Sequence, residues 1–171
     1  VNRFLTGSES PEEYLDELNR TAGRYNGFNL ILGERDRFFW FSNRGKDPLE
    51  LSPGLYGLSN RLLDTDWPKV SLCKSRLEHL LSGGTDLSPE ALFRMLGDRT
   101  VADDARLPET GVSLEWERIL SPVFIESPTY GTRSSTLLFI DQGDRVTFLE
   151  RSFLQGSNGA STLKFEFDIE P

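Results

Sequence analysis

Cysteine, histidine and methionine are nearly absent from this 171-residue chain, which has one of each. A lone Cys73 closes no internal disulfide, which fits a reducing compartment and makes a cytoplasmic setting the expectation. A Cys/His metal site needs clustered ligands, so one histidine and one cysteine exclude it and no cofactor is expected. Long apolar runs are missing too. Phe28 to Leu32, Phe38 to Phe41 and Leu137 to Ile140 are the longest, far short of the roughly 20 residues of a spanning helix. The opening Val-Asn-Arg-Phe-Leu-Thr-Gly has no apolar core of a signal peptide, and no stable membrane insertion is expected. Positive charge is in deficit: the formal net charge is −8 and no basic run forms a patch. Such a surface repels phosphate backbones and anionic lipid, which argues against nucleic acid as a partner. No Gly-rich phosphate loop follows a strand, since Gly83-Gly84 comes after a helical stretch and reads as its stop.

What is present is ordinary for a globular protein: 37% hydrophobic and 27% charged residues, in a length that fits a single domain over 1–171. Ser10-Pro11-Glu12-Glu13 carries a capping box that starts a helix, with Tyr14, Leu15 and Leu18 at helical spacing and Gly23 as its end. Two strands follow, Phe28 to Leu32 and Arg37 to Ser42, turned by residues 33–36, and a third is predicted over Leu55 to Ser59 after the turn Ser52-Pro53-Gly54. Lys69 to Leu81 presents one stripe of Val70, Cys73, Leu77, Leu80 and Leu81, and Ser88-Pro89-Glu90 opens a further helix carrying Ala91, Leu92, Met95 and Leu96 inward. Asp98 to Glu117 is acidic and without period, which predicts a long loop. A hairpin of Ser134 to Asp141 and Arg145 to Phe153 then precedes a strand in which Leu163, Phe165, Phe167 and Ile169 alternate with polar residues, predicting one wet face. The class is α+β: antiparallel sheet with helices packed on it.

Chemistry is sparse. His79 lies about 200° around its helix from Leu77, on the polar face, where a solvated ring is the ordinary outcome and a Ser-His-Asp triad is disfavoured. Cys73 falls in the apolar stripe and reads as a small buried hydrophobe. Two segments invite more than packing: Tyr25-Asn26-Gly27-Phe28-Asn29-Leu30, and Tyr56-Gly57-Leu58-Ser59-Asn60 followed by Asp64-Thr65-Asp66-Trp67-Pro68-Lys69. Each sets asparagine at a strand boundary beside glycine and an aromatic ring. For Asn26-Gly27 the competing reading is turn chemistry in left-handed backbone. Asn60 is an amide at a strand's end, a fit donor to an oxyanion. Arg133, in Tyr130-Gly131-Thr132-Arg133, stands where a strand begins, either as a surface arginine or as a cation that holds a carboxylate or tunes a nucleophile.

Those segments, together with Asn43-Arg44-Gly45, Pro53-Gly54-Leu55-Tyr56, Trp67-Pro68-Lys69 and Phe148-Leu149-Glu150-Arg151-Ser152, resemble the Transport and Golgi organisation 2 family, also called the NRDE family. The resemblance implies an N-terminal-nucleophile hydrolase-like fold, two antiparallel sheets stacked between helix layers (αββα). Family members are longer at the N-terminus, where they carry a cysteine after the initiator methionine and an Asn-Arg-Asp-Glu segment. The expectation is therefore a domain incomplete at its N-terminus, missing its first strands and its nucleophile. By analogy with amide-cleaving relatives of that fold, the resemblance implies catalytic roles for Asn60, at the oxyanion, and Arg133, flanking the nucleophile. It implies substrate contacts from Asn26, Tyr56 and Trp67. The activity expected is amide or acyl hydrolysis. The alternative is a non-catalytic carrier or trafficking protein for a hydrophobic small molecule, haem or acyl lipid, although haem ligation would fall to the ill-suited His79 or Cys73. A further expected partner is a second polypeptide bearing the N-terminal segment.

Overall fold

The computed structural model describes residues 1–83, 87–153 and 159–169. The chain divides into two compact units, Val1–Thr65 and Asp66–Pro171. Both mix helices with a three-stranded antiparallel sheet, so the α+β expectation holds. No helix among the described residues is long and apolar enough to cross a membrane.

The first unit opens with the short helix α1 (Asn2–Thr6) and then α2 (Pro11–Thr21). The capping box forms as the sequence implies: the Ser10 hydroxyl accepts from the Glu13 N–H, and the Glu13 carboxylate accepts from the Ser10 N–H. A single 3-10 turn, Ala22–Arg24, ends the helical stretch. Strands β1 (Asn29–Glu34), β2 (Arg37–Ser42) and β3 (Leu49–Leu51) follow in sheet order β1-β2-β3. The β1–β2 turn needs only Arg35 and Asp36, with Arg35 at φ 48°. Gly33 lets the strands close in: a Cβ there would meet the Arg37 carbonyl oxygen at 2.4 Å. Tyr14, Leu15 and Ala22 bury against Leu32, Phe39 and Phe41, with Leu15 and Phe41 each only 1% exposed. The third strand lies earlier than predicted. Leu55 to Ser59 cannot join a ladder, because the N–H and the carbonyl of Gly57 are both taken by Asp64.

In the second unit, α3 (Pro68–Ser82) and α4 (Pro89–Leu96) pack on a sheet of β4 (Ser134–Ile140), β5 (Arg145–Phe153) and β6 (Ala160–Asp168). Its core joins Leu92 and Phe93 to Leu137 and Leu149, with Leu77, Leu80, Met95, Leu96 and Phe139 around them. Gly83 ends α3, its N–H donating to the His79 carbonyl, while Gly84 lies outside the described residues. Leu81 departs from the predicted stripe and is 56% exposed.

Two expectations fail here. The predicted loop from Asp98 to Glu117 contains a 3-10 turn, Asp104–Arg106, and the start of a helix, α5 (Leu114–Leu120). Ser113 caps α5 through the Trp116 N–H, and the cap outweighs the nearby Pro108 and Gly111 that suggested disorder of pattern. Nor does β6 have one wet face, since all nine of its residues are exposed, including Leu163, Phe165 and Phe167.

Candidate functional site

The first unit's candidates rest on a scaffold of asparagines. The amide of Asn43, just past β2, donates to the carbonyls of Ala22, Tyr25 and Asn26 at 3.1–3.2 Å. Its Oδ1 accepts the Phe28 N–H at 2.9 Å. One side chain thus meets four backbone groups of the turn into β1, one of which, the Ala22 carbonyl, also accepts the Tyr25 N–H. Arg44 lies flat on that turn, so close that a Cβ on Gly27 would fall 1.8 Å from its Nε. Here is the reason for Asn26-Gly27: positive φ is confined, among the described residues, to Arg35, Asp64, Asp144 and Gly111, so the left-handed turn reading does not apply. Asn26 itself is exposed, and its side chain has no hydrogen-bond partner among the described residues.

A second scaffold presents Asn60. Asp64, at φ 54°, donates its N–H to the Gly57 carbonyl at 2.7 Å and accepts the Gly57 N–H at 2.8 Å. This double clamp closes a loop over 57–64. Asn29 of β1 then ties the loop to the sheet: its Nδ2 donates to the Arg61 carbonyl at 2.6 Å while its Oδ1 accepts the Trp40 indole N–H at 3.2 Å. The Asn60 amide stands exposed on this held loop, without a partner among the described residues. Tyr56 differs, for its hydroxyl donates to the Ser52 carbonyl at 2.8 Å and the residue is 38% exposed. A cavity of about 370 Å³ lies nearby, lined by Asn19, Ala22, Gly23, Ser42, Asn43, Gly45, Lys46 and Asp47. Its Ser42 and Asn43 are already engaged with backbone groups, which leaves Asn19, Lys46 and Asp47 to face a ligand.

The second unit holds Trp67 and Arg133. Trp67 is half-buried at the N-cap of α3, where its carbonyl accepts from Val70 and Ser71. The Lys69 ammonium sits 5.8 Å from the centre of the Trp67 ring and donates to the Leu120 carbonyl at the end of α5, 2.9 Å away. Burial pushes the Lys69 ammonium below its ordinary pKa, against the pull of the Glu117 charge. Glu117, buried, accepts the N–H and hydroxyl of Thr110 at 2.7 and 2.5 Å. Arg133 begins the chain's entry into β4; its carbonyl accepts the Phe153 N–H at 2.9 Å, and its guanidinium is exposed with no partner among the described residues. The turn before it is fastened by Ser127, whose hydroxyl donates to the Tyr130 carbonyl and accepts the Tyr130 N–H.

The structure thus divides the five candidates. Asn26, Tyr56 and Asn60 belong to the first unit, and Trp67 and Arg133 to the second. His79 is exposed and Cys73 half-buried, its thiol pushed up by burial and so poorly ionised. Among the described residues no group of three or more His, Cys, Asp or Glu is placed to hold a metal. Sequence reasoning passed over Asn29, Asn43 and Asp64. Their signal was an unusual density of asparagine in the segments of Tyr25 to Asn43, side chains able to serve a donor and an acceptor at once.

A family described as Transport and Golgi organisation 2 matches residues 1–155. The chain is 34% identical over 185 residues to the Transport and Golgi organization protein 2 homolog of Bos taurus. It is 32% identical over 184 residues to the homolog of Homo sapiens and 30% identical over 184 to that of Mus musculus. In each case 99% of this chain is covered and 67% of the relative. The fold and these matches define an α+β domain with mammalian relatives. The chain belongs to the Transport and Golgi organisation 2 family.

Proposed function

We propose that this chain supplies the electrostatic and substrate-facing groups of an acyl- or amide-hydrolysing domain whose nucleophile, a cysteine thiol, comes from residues outside the chain. The observation that supports this reading is a contrast between free and engaged groups. Asn60 and Arg133 hold an amide and a guanidinium toward solvent with no partner among the described residues, while the chain's own thiol and imidazole are unsuited to attack. In the proposed reaction a thiolate adds to the amide carbonyl carbon, the C–N bond breaks and the amine leaves with a proton. Water then cleaves the thioester to a carboxylic acid and regenerates the thiol. An α-amine on the nucleophilic residue, with an ordinary pKa of about 7.7–8.0, serves as the base, so no histidine is required. Asn60 donates to the developing oxyanion and Arg133 steadies the anionic nucleophile, while Asn26, Tyr56 and Trp67 contact substrate. Asn60→Ala in the full-length protein is expected to slow hydrolysis by about 10²–10³, the usual worth of one such donor. An unchanged rate in an active protein removes Asn60 from the mechanism.

A second reading, a carrier for a hydrophobic ligand such as haem or an acyl lipid, draws on rings left at the surface: Tyr25 is 60% exposed, Tyr130 51% and Trp116 39%. Saturable quenching of tryptophan fluorescence by haem or acyl-CoA that survives both Asn60→Ala and loss of the thiol favours the carrier. Hydrolysis lost with either favours the enzyme.

A further inference from the structure

The third strand of the second sheet is an unusual edge. β6 runs nine residues and pairs with β5 without a break, from Arg145↔Asp168 to Phe153↔Ala160. Among the described residues nothing pairs with its outer side. Natural edge strands are blunted by shortness, proline, bulges or charge, and β6 has only the last, with Lys164 and Glu166 on the helix-side face. Its apolar side chains are open as well: Leu163 is 58% exposed, Phe165 55% and Phe167 55%. Register continues the patch across the sheet, since Phe165 lies in one row with Phe148 and Leu138, and Phe167 in one row with Val146 and Ile140. Leu138 is 59% exposed.

Charge decides what fits this edge. A partner strand must match apolar to apolar and polar to polar, because directly opposed residues share a face. For a second copy of β6 running antiparallel, only registers with an even sum of residue numbers satisfy that. Centring on Lys164 opposes lysine to lysine, and centring on Glu166 opposes glutamate to glutamate. Centring on Phe165 opposes Lys164 to Glu166 and Glu166 to Lys164, Leu163 to Phe167, and Phe165 to its own mate. Within Thr162 to Asp168 that register contains no like-charged pair. Of the registers centred from Leu163 to Phe167, it alone sets opposite charges against each other without opposing like ones. By contrast β4, the opposite edge, has no charged residue over Ser134–Ile140 to select any register. The Lys164 ammonium lies 2.9 Å from the Glu166 carboxylate of its own strand, and both residues, opposite Leu149 and Thr147, share the face on which α4 packs, where they remain exposed and Lys164 can turn to a partner.

We infer that β6 pairs edge to edge with β6 of a second copy, antiparallel about a twofold axis at Phe165, joining two three-stranded sheets into one of six. The occupant is another copy of this chain. Two tests on the full protein address it. In sedimentation velocity over about 1–200 µM, dimer forms in the native protein and weakens about tenfold or more in Lys164→Glu or Glu166→Lys, each of which opposes like charges twice. The double variant restores opposite charges and therefore the dimer. For the register, Phe165→Cys in a Cys73→Ser background should oxidise quickly to a disulfide-linked dimer, because opposed Cα atoms of an antiparallel pair are about 4.5–5.5 Å apart. Leu163→Cys should not, its own mate being four residues, or about 13 Å, further along. A protein that stays monomeric throughout, a dimer indifferent to both single charge reversals, or equal cross-linking at the two positions overturns the inference. The first would leave the edge to a different strand, and the others would place the dimer contact elsewhere.

Discussion

The two sheets share a size and an order, three antiparallel strands with a helix packed on one face, yet their last strands are managed differently. In the first, β3 has three residues and its Glu50 is held by Arg37, which also grips Glu12 of α2. That edge is short and occupied by charge. In the second, β6 is three times as long and carries its open side chains to solvent. Its charges pair within the sheet, Glu166 with Lys164 and Arg145, while Arg151 lies 3.9 Å from the Phe93 ring and forks onto Glu90, fastening α4 to the helix-covered face. A sheet closed by loops and ion pairs reads as a platform for neighbouring residues, whereas a long unpaired edge reads as a surface for another chain.

The comparison can be broken most forcefully at the packed faces. Phe41→Ala, at a residue 1% exposed, should lower the stability of the first unit by about 3–5 kcal/mol in chemical denaturation. Phe165→Ala on β6 should change monomer stability by less than about 0.5 kcal/mol. A large loss at Phe165 would mean that its face is covered within the monomer. Next in size is the asparagine scaffold. Asn43→Ala strips the Phe28 N–H and the Tyr25 and Asn26 carbonyls of their partner, leaves the Ala22 carbonyl with the Tyr25 N–H, and is expected to cost about 2–3 kcal/mol, with amide exchange rising first at Phe28.

The smallest effect is on acid stability and belongs to the second unit. Burial alone would raise the Asp98 carboxyl, but the Thr100 N–H and hydroxyl, with Arg76 at 2.5 Å, hold it below the usual range. A depressed carboxyl gives stability that is complete above its ordinary pKa and lost as pH falls through its folded value. Melting temperatures followed from about pH 6 to pH 3 should therefore fall less steeply in Asp98→Asn than in the parent. Parallel curves would assign the acid sensitivity to other carboxylates.

Periodicity carried α2, α3 and α4 and five of the six described strands, but not α1, because Leu15, Phe41, Leu92 and Leu149 bury where their spacing puts them. Failures came where one side chain redirected the backbone. Asp64 took both polar groups of Gly57 and left no strand there, and Ser113 started α5 inside a stretch without period. The exposed face of β6 was not legible, since alternation says which residues share a face and not whether anything covers it. Asn60 and Arg133 were visible as polar residues beside glycine and aromatic rings. The groups that hold the Asn60 loop, Asn29 and Asp64, act across gaps of 32 and 7 residues that no local pattern marks.

The most direct test of the account compares two variants of the full-length protein in one amide-hydrolysis assay, with melting temperatures measured alongside. The account predicts that Cys73→Ser leaves the rate unchanged, while Asn60→Ala lowers it about 10²–10³ without moving the melting temperature. Activity that disappears with Cys73 and persists without Asn60 would contradict it.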